Sequence, residues 1–279
     1  MQNIPAKKSL GQNFLKSKVA LVKMLEAGEV NNTDTILEVG PGKGALTEKL
    51  LTVAKKVIAV EKDDRLIEFL AEKFAEEIKM GKLEIVHDDI LEFNRPLAPS
   101  LSNEGGGSYK IIANIPYYIT GVFLRKFLEE TDKQPEKIVV MVQKEIAQRI
   151  VANEQAGQKE SLLSISVKVF GTPKMIMKVD RENFSPAPNV DSAILLISNI
   201  SKKFFSENNI FEKNFFEILH AGFAHKRKML LGNLKEWQKK GNIENKDLSQ
   251  IFSLINLPEK IRAEDLTLNQ WSDLVKNLS

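Results

Sequence analysis

The chain has 279 residues, enough for one large domain and a smaller one, with an ordinary 43% hydrophobic and 28% charged content. It contains no cysteine, which excludes disulfides, thiolate metal sites and thiol nucleophiles, and its three histidines show no metal-ligand spacing. The net charge is only +3, yet residues 201–279 carry 13 Lys and Arg against 10 Asp and Glu, and residues 1–25 hold five lysines and no acid; such basic zones suit a polyanion such as nucleic acid, or are ordinary solvated lysines.

Residues 1–16 read as an extended basic tail, because Pro5 and Gly11 oppose a helix. Ala20, Leu21, Met24 and Leu25 recur at helical spacing between Ser17 and Ala27. A regular alternation follows: a strand over Thr35–Val39, a glycine loop, a helix over Ala45–Val53, a strand over Lys56–Val60, a helix over Asp64–Met80 and a strand over Leu83–Val86. Residues 96–108 (PLAPSLSNEGGGS) read as a surface connection. A buried strand ending at Asn114, a helix over Gly121–Glu130 and an apolar strand over Lys137–Val142 come next. Continuous apolar strands alternating with amphipathic helices predict an α/β, Rossmann-like domain whose mostly parallel sheet has helices on both faces. Thr172–Val179 and Val190–Ile197, joined by Asp180–Asn189, predict a β-hairpin closing that sheet. Beyond Ser198 the pattern becomes helical: Phe215, Phe216, Leu219, Phe223 and Leu230 share one helical face, His225 and Lys228 point away from it, and further helices fall over Asp247–Leu254 and Leu268–Leu278. The predicted division is residues 1–200 and a small all-α domain of residues 201–279.

The candidate site lies at the strand ends. Asn114-Ile115-Pro116-Tyr117 is a stiff loop after a strand, where an amide, backbone carbonyls and an aromatic face surround space for a small planar group such as the amine of adenine. The bland alternative is a strand-ending turn with a proline and buried tyrosines. Gly40-Pro41-Gly42-Lys43-Gly44 allows close approach of a nucleotide to the backbone, and Gly40-x-Gly42-x-x-Ala45 also fits a dinucleotide fingerprint. Glu61, at the end of the second strand, can accept from ribose hydroxyls, which suits NAD and S-adenosylmethionine equally. Asp89, after the third strand, reaches the same crevice and can accept from an adenine amine, or caps a helix. Phe184, in Asn183-Phe184-Ser185-Pro186-Ala187-Pro188, either faces Tyr117 to sandwich a flipped base or is a buried ring in a proline-rich loop.

Together, Gly11-Gln12-Asn13-Phe14-Leu15, EVGPGKGALT (38–47), NIPY (114–117), QKEIAQRIVA (143–152) and FSPAPNVDSA (184–193) resemble the ribosomal RNA adenine N6-dimethyltransferases. The motifs occur in order over about the first 200 residues. The tail, through Phe223-Ala224-His225-Lys226-Arg227-Lys228 and Ile261-Arg262-Ala263-Glu264-Asp265-Leu266, resembles the small-subunit (KsgA type) enzymes. Tyr118 departs from relatives that carry Asn or another polar residue there.

The resemblance implies a class I methyltransferase domain and a helical RNA- or ribosome-binding domain. It implies N6,N6-dimethylation of two adjacent adenosines near the 3′ end of small-subunit (16S) rRNA, in ribosome biogenesis. S-adenosylmethionine is the implied cofactor, with S-adenosylhomocysteine as product. Asn13, Leu15, Gly40, Glu61, Asp89 and Asn114 are the implied cofactor contacts, and Asn114, Pro116, Tyr117 and Phe184 the implied catalytic set, with no metal. The implied partner is the small ribosomal subunit, bound by a monomer in the cytoplasm; no membrane span or secretory leader is legible. Three alternatives stand: a large-subunit methyltransferase of the erythromycin-resistance type, a NAD-dependent dehydrogenase, and a non-catalytic RNA-binding descendant.

Overall fold

A seven-stranded sheet organises the larger part of the protein, whose computed structural model describes residues 4–94, 108–152, 157–241 and 246–279. The strands are β1 (Phe14–Leu15), β2 (Thr35–Val39), β3 (Lys56–Glu61), β4 (Leu83–His87), β5 (Tyr109–Asn114), β6 (Lys137–Gln143), β7 (Thr172–Val179), β8 (Phe184–Ser185) and β9 (Ser192–Ser198). The sheet order is β4-β3-β2-β5-β6-β9-β7, with β2 to β6 parallel and β9 antiparallel to both β6 and β7. The segment between β7 and β9 is more than a hairpin loop, because β8 within it pairs antiparallel with β1.

Helices α1 (Lys18–Gly28), α2 (Ala45–Val53), α3 (Asp64–Lys73), α4 (Ala75–Lys79), α5 (Thr120–Arg125) and α6 (Lys144–Ile150) connect or flank these strands. Ile36, Val57, Ala59, Ile112, Val139 and Met141 form one cluster with Met24, Leu50, Leu66 and Leu70 of the helices. The intervening Leu37, Ile58, Val60, Ile111 and Val140 are equally buried, so both faces are covered and the strands are apolar throughout. The helix expected over Asp64–Met80 breaks at Phe74, which leaves helical geometry at φ −115° and is itself buried. The helix expected over Gly121–Glu130 is α5 continued by a π-helical turn, Lys126–Glu130. The connection read at 96–108 lies, up to residue 107, outside the described residues.

A single cut near residue 200 does not describe the chain. One compact unit comprises Met1–Ala147 and Thr172–Ile200, and the other Gln148–Gly171 and Ser201–Ser279. The second unit contains α7 (Leu162–Lys168), α8 (Lys203–Asn208), α9 (Glu212–Phe223), α10 (Leu230–Lys239), α11 (Leu248–Leu254) and α12 (Leu268–Leu278). Its early segment is held by long-range contacts invisible to local periodicity. Phe170 stacks on Phe216 at 5.9 Å between ring centroids, Lys159 pairs with Glu264 at 2.6 Å, and Glu160 N–H donates to the Glu264 carbonyl at 2.9 Å. The face read through Phe215 to Leu230 belongs to two helices. Asn233 Nδ2 donates to the carbonyls of Gly222 at 2.6 Å and His225 at 3.3 Å, satisfying acceptors at the end of α9 and fixing the exposed turn that carries Lys226 and Arg227.

Candidate methyltransferase site

Parallel strands place their carboxyl ends along one edge, and the order β4-β3-β2-β5 turns Asp89, Glu61, Gly40 and Asn114 into one spatial line. Together with the tail they line a cleft of about 900 Å³, mouth included, that also takes in Leu10 to Phe14 and Ile115 to Ile119. A second lobe, walled by Leu15, Lys16, Glu38, Lys43, Ser185 and Pro186, shares Phe14, Gly40, Gly42 and Asn114 with the first.

The glycine loop works through backbone geometry. Gly40 and Gly42 have φ of 64° and 59°, a region open to glycine at little cost, and a Cβ on Gly42 would lie 2.9 Å from Phe14 Cδ1. Gly40 N–H donates to the Val60 carbonyl at 2.9 Å, which fixes the turn between two strand ends. Glu61 is buried, and three backbone N–H groups hold its carboxylate: Lys62 and Asp63 to Oε1, both at 2.9 Å, and Gly42 to Oε2 at 3.1 Å. Burial raises its pKa and these three donors partly offset the rise. Oε1 thus already accepts two bonds, while Oε2 accepts one and retains acceptor capacity for a hydroxyl.

Asp89 Oδ2 pairs with Lys62 Nζ at 2.6 Å, and Oδ1 accepts from Leu91 N–H at 3.0 Å. Partial burial works to raise its pKa, but the Lys62 ammonium and the Leu91 N–H outweigh that and hold it low, so the group is an acceptor. Among the described residues no helix lies between β4 and β5: Asp89 Oδ1 caps the turn over residues 90–92 instead, and the same side chain lines the cleft.

At the other end, Asn114 Nδ2 donates to the Asn13 carbonyl at 3.0 Å. That bond settles the amide orientation and turns Oδ1 away from the tail. Pro116, at φ −58° and ψ 135°, leads into a 3-10 turn in which its own carbonyl accepts from Ile119 N–H at 3.2 Å. Tyr117 is half-buried and its hydroxyl lies 2.6 Å from Ser192 Oγ. Burial raises the Tyr117 pKa despite that bond, so the phenol stays neutral and its ring is fixed in place.

Two expected side chains sit differently. Phe184 is 2% exposed, within the cluster that contains Leu15, Val179 and Ile194, and is absent from both lobe linings. It sits on β8 opposite Leu15 of β1, with its ring packed in that cluster. The second ring of the expected sandwich is thus a packing residue in this structure. Leu15 is buried at the wall of the second lobe, and Asn13 contributes its carbonyl while its Nδ2 donates to the Gly11 carbonyl at 3.1 Å.

Glu38 escaped the sequence reading. It stands within the quoted motif, directly before the glycine loop, yet it is 1% exposed and neither oxygen has a hydrogen-bond partner among the described residues. Burial pushes its carboxyl up to about 8, with neighbouring Thr47 lowering and Glu61 further raising it. A carboxylate on an otherwise continuous buried strand was the signal available. Among the described residues no group of His, Asp and Glu could hold a metal ion, and no helix is long and apolar enough to cross a membrane.

A family profile described as ribosomal RNA adenine dimethylase matches residues 3–278. The ribosomal RNA small subunit methyltransferase A of Dehalococcoides mccartyi (strain CBDB1) is 42% identical over 97% of this chain and 88% of its own length. That of Ligilactobacillus salivarius (strain UCC118) is 37% identical over 96% and 88%. Among solved structures, a dimethyladenosine transferase from Plasmodium falciparum superposes with a TM-score of 0.75 at 28% identity, covering 95% of this chain and 96% of that one. The 23S rRNA methyltransferase ErmE shares the fold, with a TM-score of 0.68 at 22% identity, covering 95% and 99%. The motifs, the Rossmann-like class I methyltransferase fold and these matches agree: the chain belongs to the ribosomal RNA adenine dimethylase family.

Proposed function

We propose that this enzyme uses S-adenosylmethionine to methylate twice the N6 of two adjacent adenosines near the 3′ end of 16S rRNA in the small ribosomal subunit. The observation that carries this reading is the line of Gly40, Glu61, Asp89 and Asn114 across one cleft, ending on an amide whose orientation Asn13 holds. The cleft fits the cofactor. Glu61 offers Oε2 to a ribose hydroxyl, Asp89 an acceptor for an adenine amine, and the buried Glu38 an acceptor for an ammonium group in the second lobe. The bound cofactor supplies an electrophilic methyl on a sulfonium.

The protein's own part is orientation. The target adenine leaves its stack and lies on the Tyr117 ring. Asn114 Oδ1 and the Ile115 carbonyl accept its N6 hydrogens, because the Pro116 carbonyl is already engaged by Ile119. Those bonds draw the nitrogen lone pair out of ring conjugation and aim it at the methyl. Tyr117 is no base, being neutral and bonded to Ser192, and the proton leaves after transfer. After the first methylation Asn114 serves with one N–H fewer. The basic tail and the exposed Lys226 and Arg227 bind rRNA phosphates, and a monomer acting in the cytoplasm suffices for this chemistry.

The test is transfer of labelled methyl groups to undermethylated small and large subunits by wild type and Asn114→Ala. Wild type is expected to form dimethyladenosine on small subunits only. Asn114→Ala should lose at least about a hundredfold in rate while binding S-adenosylmethionine within a few-fold of wild type. Equal rates for both proteins would remove the role of Asn114; transfer to large subunits alone would move the target to the resistance type.

A further inference from the structure

Residues 7–15 cross the strand ends as a strap anchored at separate points. At one side Gln12 is bonded at both ends of its amide: its Nε2 donates to Asp63 Oδ2 at 2.8 Å and its Oε1 accepts from Lys7 N–H at 2.7 Å. Asp63 is 1% exposed and shared. Its Oδ1 accepts from Arg65 Nε at 2.9 Å, its Oδ2 from Arg65 Nη2 at 2.6 Å, and its own N–H donates to Glu61 Oε1 at 2.9 Å. In the middle Gly11, at φ 62°, passes so close to Tyr118 that a Cβ would lie 3.2 Å from its Cε1. On the far side the Asn13 carbonyl accepts from Asn114 Nδ2, and Phe14 and Leu15 pair with Ser185 and Phe184.

Gln12 therefore ties the strap to the residue that orients Glu61, one position before the residue whose carbonyl orients Asn114. We infer that the Gln12–Asp63 hydrogen bond is a latch that holds the strap across the cofactor cleft and, through Asn13, keeps Asn114 Oδ1 turned for the reaction, making Gln12 and Asp63 positioning residues. This rests on the proposed function only in taking the cleft as the cofactor's. Loss of Gln12 leaves Asp63 with Arg65 and with its cap on α3, so the effect stays local. Gln12→Glu keeps length and the Lys7 contact but sets two carboxylates against each other. Gln12→Glu with Asp63→Asn reverses donor and acceptor, and the new carboxylate can also take up Arg65 Nη2.

The experiment is backbone hydrogen exchange on the cofactor-free full chain, joined to S-adenosylmethionine binding by equilibrium dialysis and steady-state methyl transfer. Gln12→Ala is expected to speed exchange within residues 7–15 about tenfold, raise the KM for the cofactor about tenfold and lower kcat, with exchange in β2 to β6 unchanged. Gln12→Glu should be more severe, and the reversed pair should return all three readouts to within about threefold of wild type. Unchanged exchange in both single variants, loss of protection spread through the whole unit, or no rescue by the reversed pair would overturn the latch. A wild type that does not bind S-adenosylmethionine would overturn the reading of the cleft, and the exchange pattern would still decide the latch.

Discussion

Replacing Glu38 by glutamine probes a buried carboxyl at the cleft that has no well-formed hydrogen bond among the described residues. In the unfolded chain this group ionises near 4.5, whereas burial between β2 and its covering helix pushes it up to about 8. The folded state thus holds the proton more tightly. Below pH 4.5 both states are protonated and there is no penalty; from there to about 8 the unfolded state alone ionises, and stability falls as pH rises. At about 1.4 kcal/mol per unit this amounts to about 5 kcal/mol across the window, as a ceiling. Glu38→Gln carries no such titration. In urea unfolding of the cofactor-free protein, the variant should match wild type at pH 5 and exceed it by several kcal/mol at pH 8. A smaller slope of the same sign should persist, because burial raises Glu61 too.

The same side chain makes a prediction for binding. An ammonium group placed against Glu38 favours its carboxylate, so binding near pH 7 should release close to one proton and affinity should rise towards pH 8. Calorimetry in two buffers of different ionisation enthalpy counts that proton, and Glu38→Gln should abolish it. An unchanged pH slope in the variant, or the same proton count in both proteins, would refute the reasoning.

Phe184→Ala should act on stability: removing a ring that is 2% exposed costs about 3–5 kcal/mol by denaturant unfolding, while methyl transfer at a permissive temperature stays within a few-fold of wild type. A large kcat loss without destabilisation would return Phe184 to the base-stacking role. Gly42→Ala combines a φ of 59° with a Cβ 2.9 Å from the Phe14 ring, and should weaken S-adenosylmethionine binding at least about tenfold with about 1–2 kcal/mol lost in stability. Unchanged affinity by equilibrium dialysis would show that the strap yields freely there.

Alternating apolar strands and amphipathic helices, punctuated by Gly40 to Gly44 and by Asn114-Ile115-Pro116-Tyr117, determine the parallel sheet and the line of groups on its edge. These are local properties: periodicity tells which way a side chain points from its own backbone, and in a parallel sheet the residues just past each strand share one edge. The tertiary structure decided what covers each of those side chains. Phe184 is buried because β8 pairs with a strand about 170 residues earlier, and Phe170 joins the helical unit because Phe216 stacks on it. Asn114 is aimed by a carbonyl 101 residues away. Glu38 is left without a well-formed hydrogen bond among the described residues, with only Thr47 of α2 as a neighbouring donor. Contacts of that range leave no period in the chain, since each depends on where two distant segments meet once the sheet has formed.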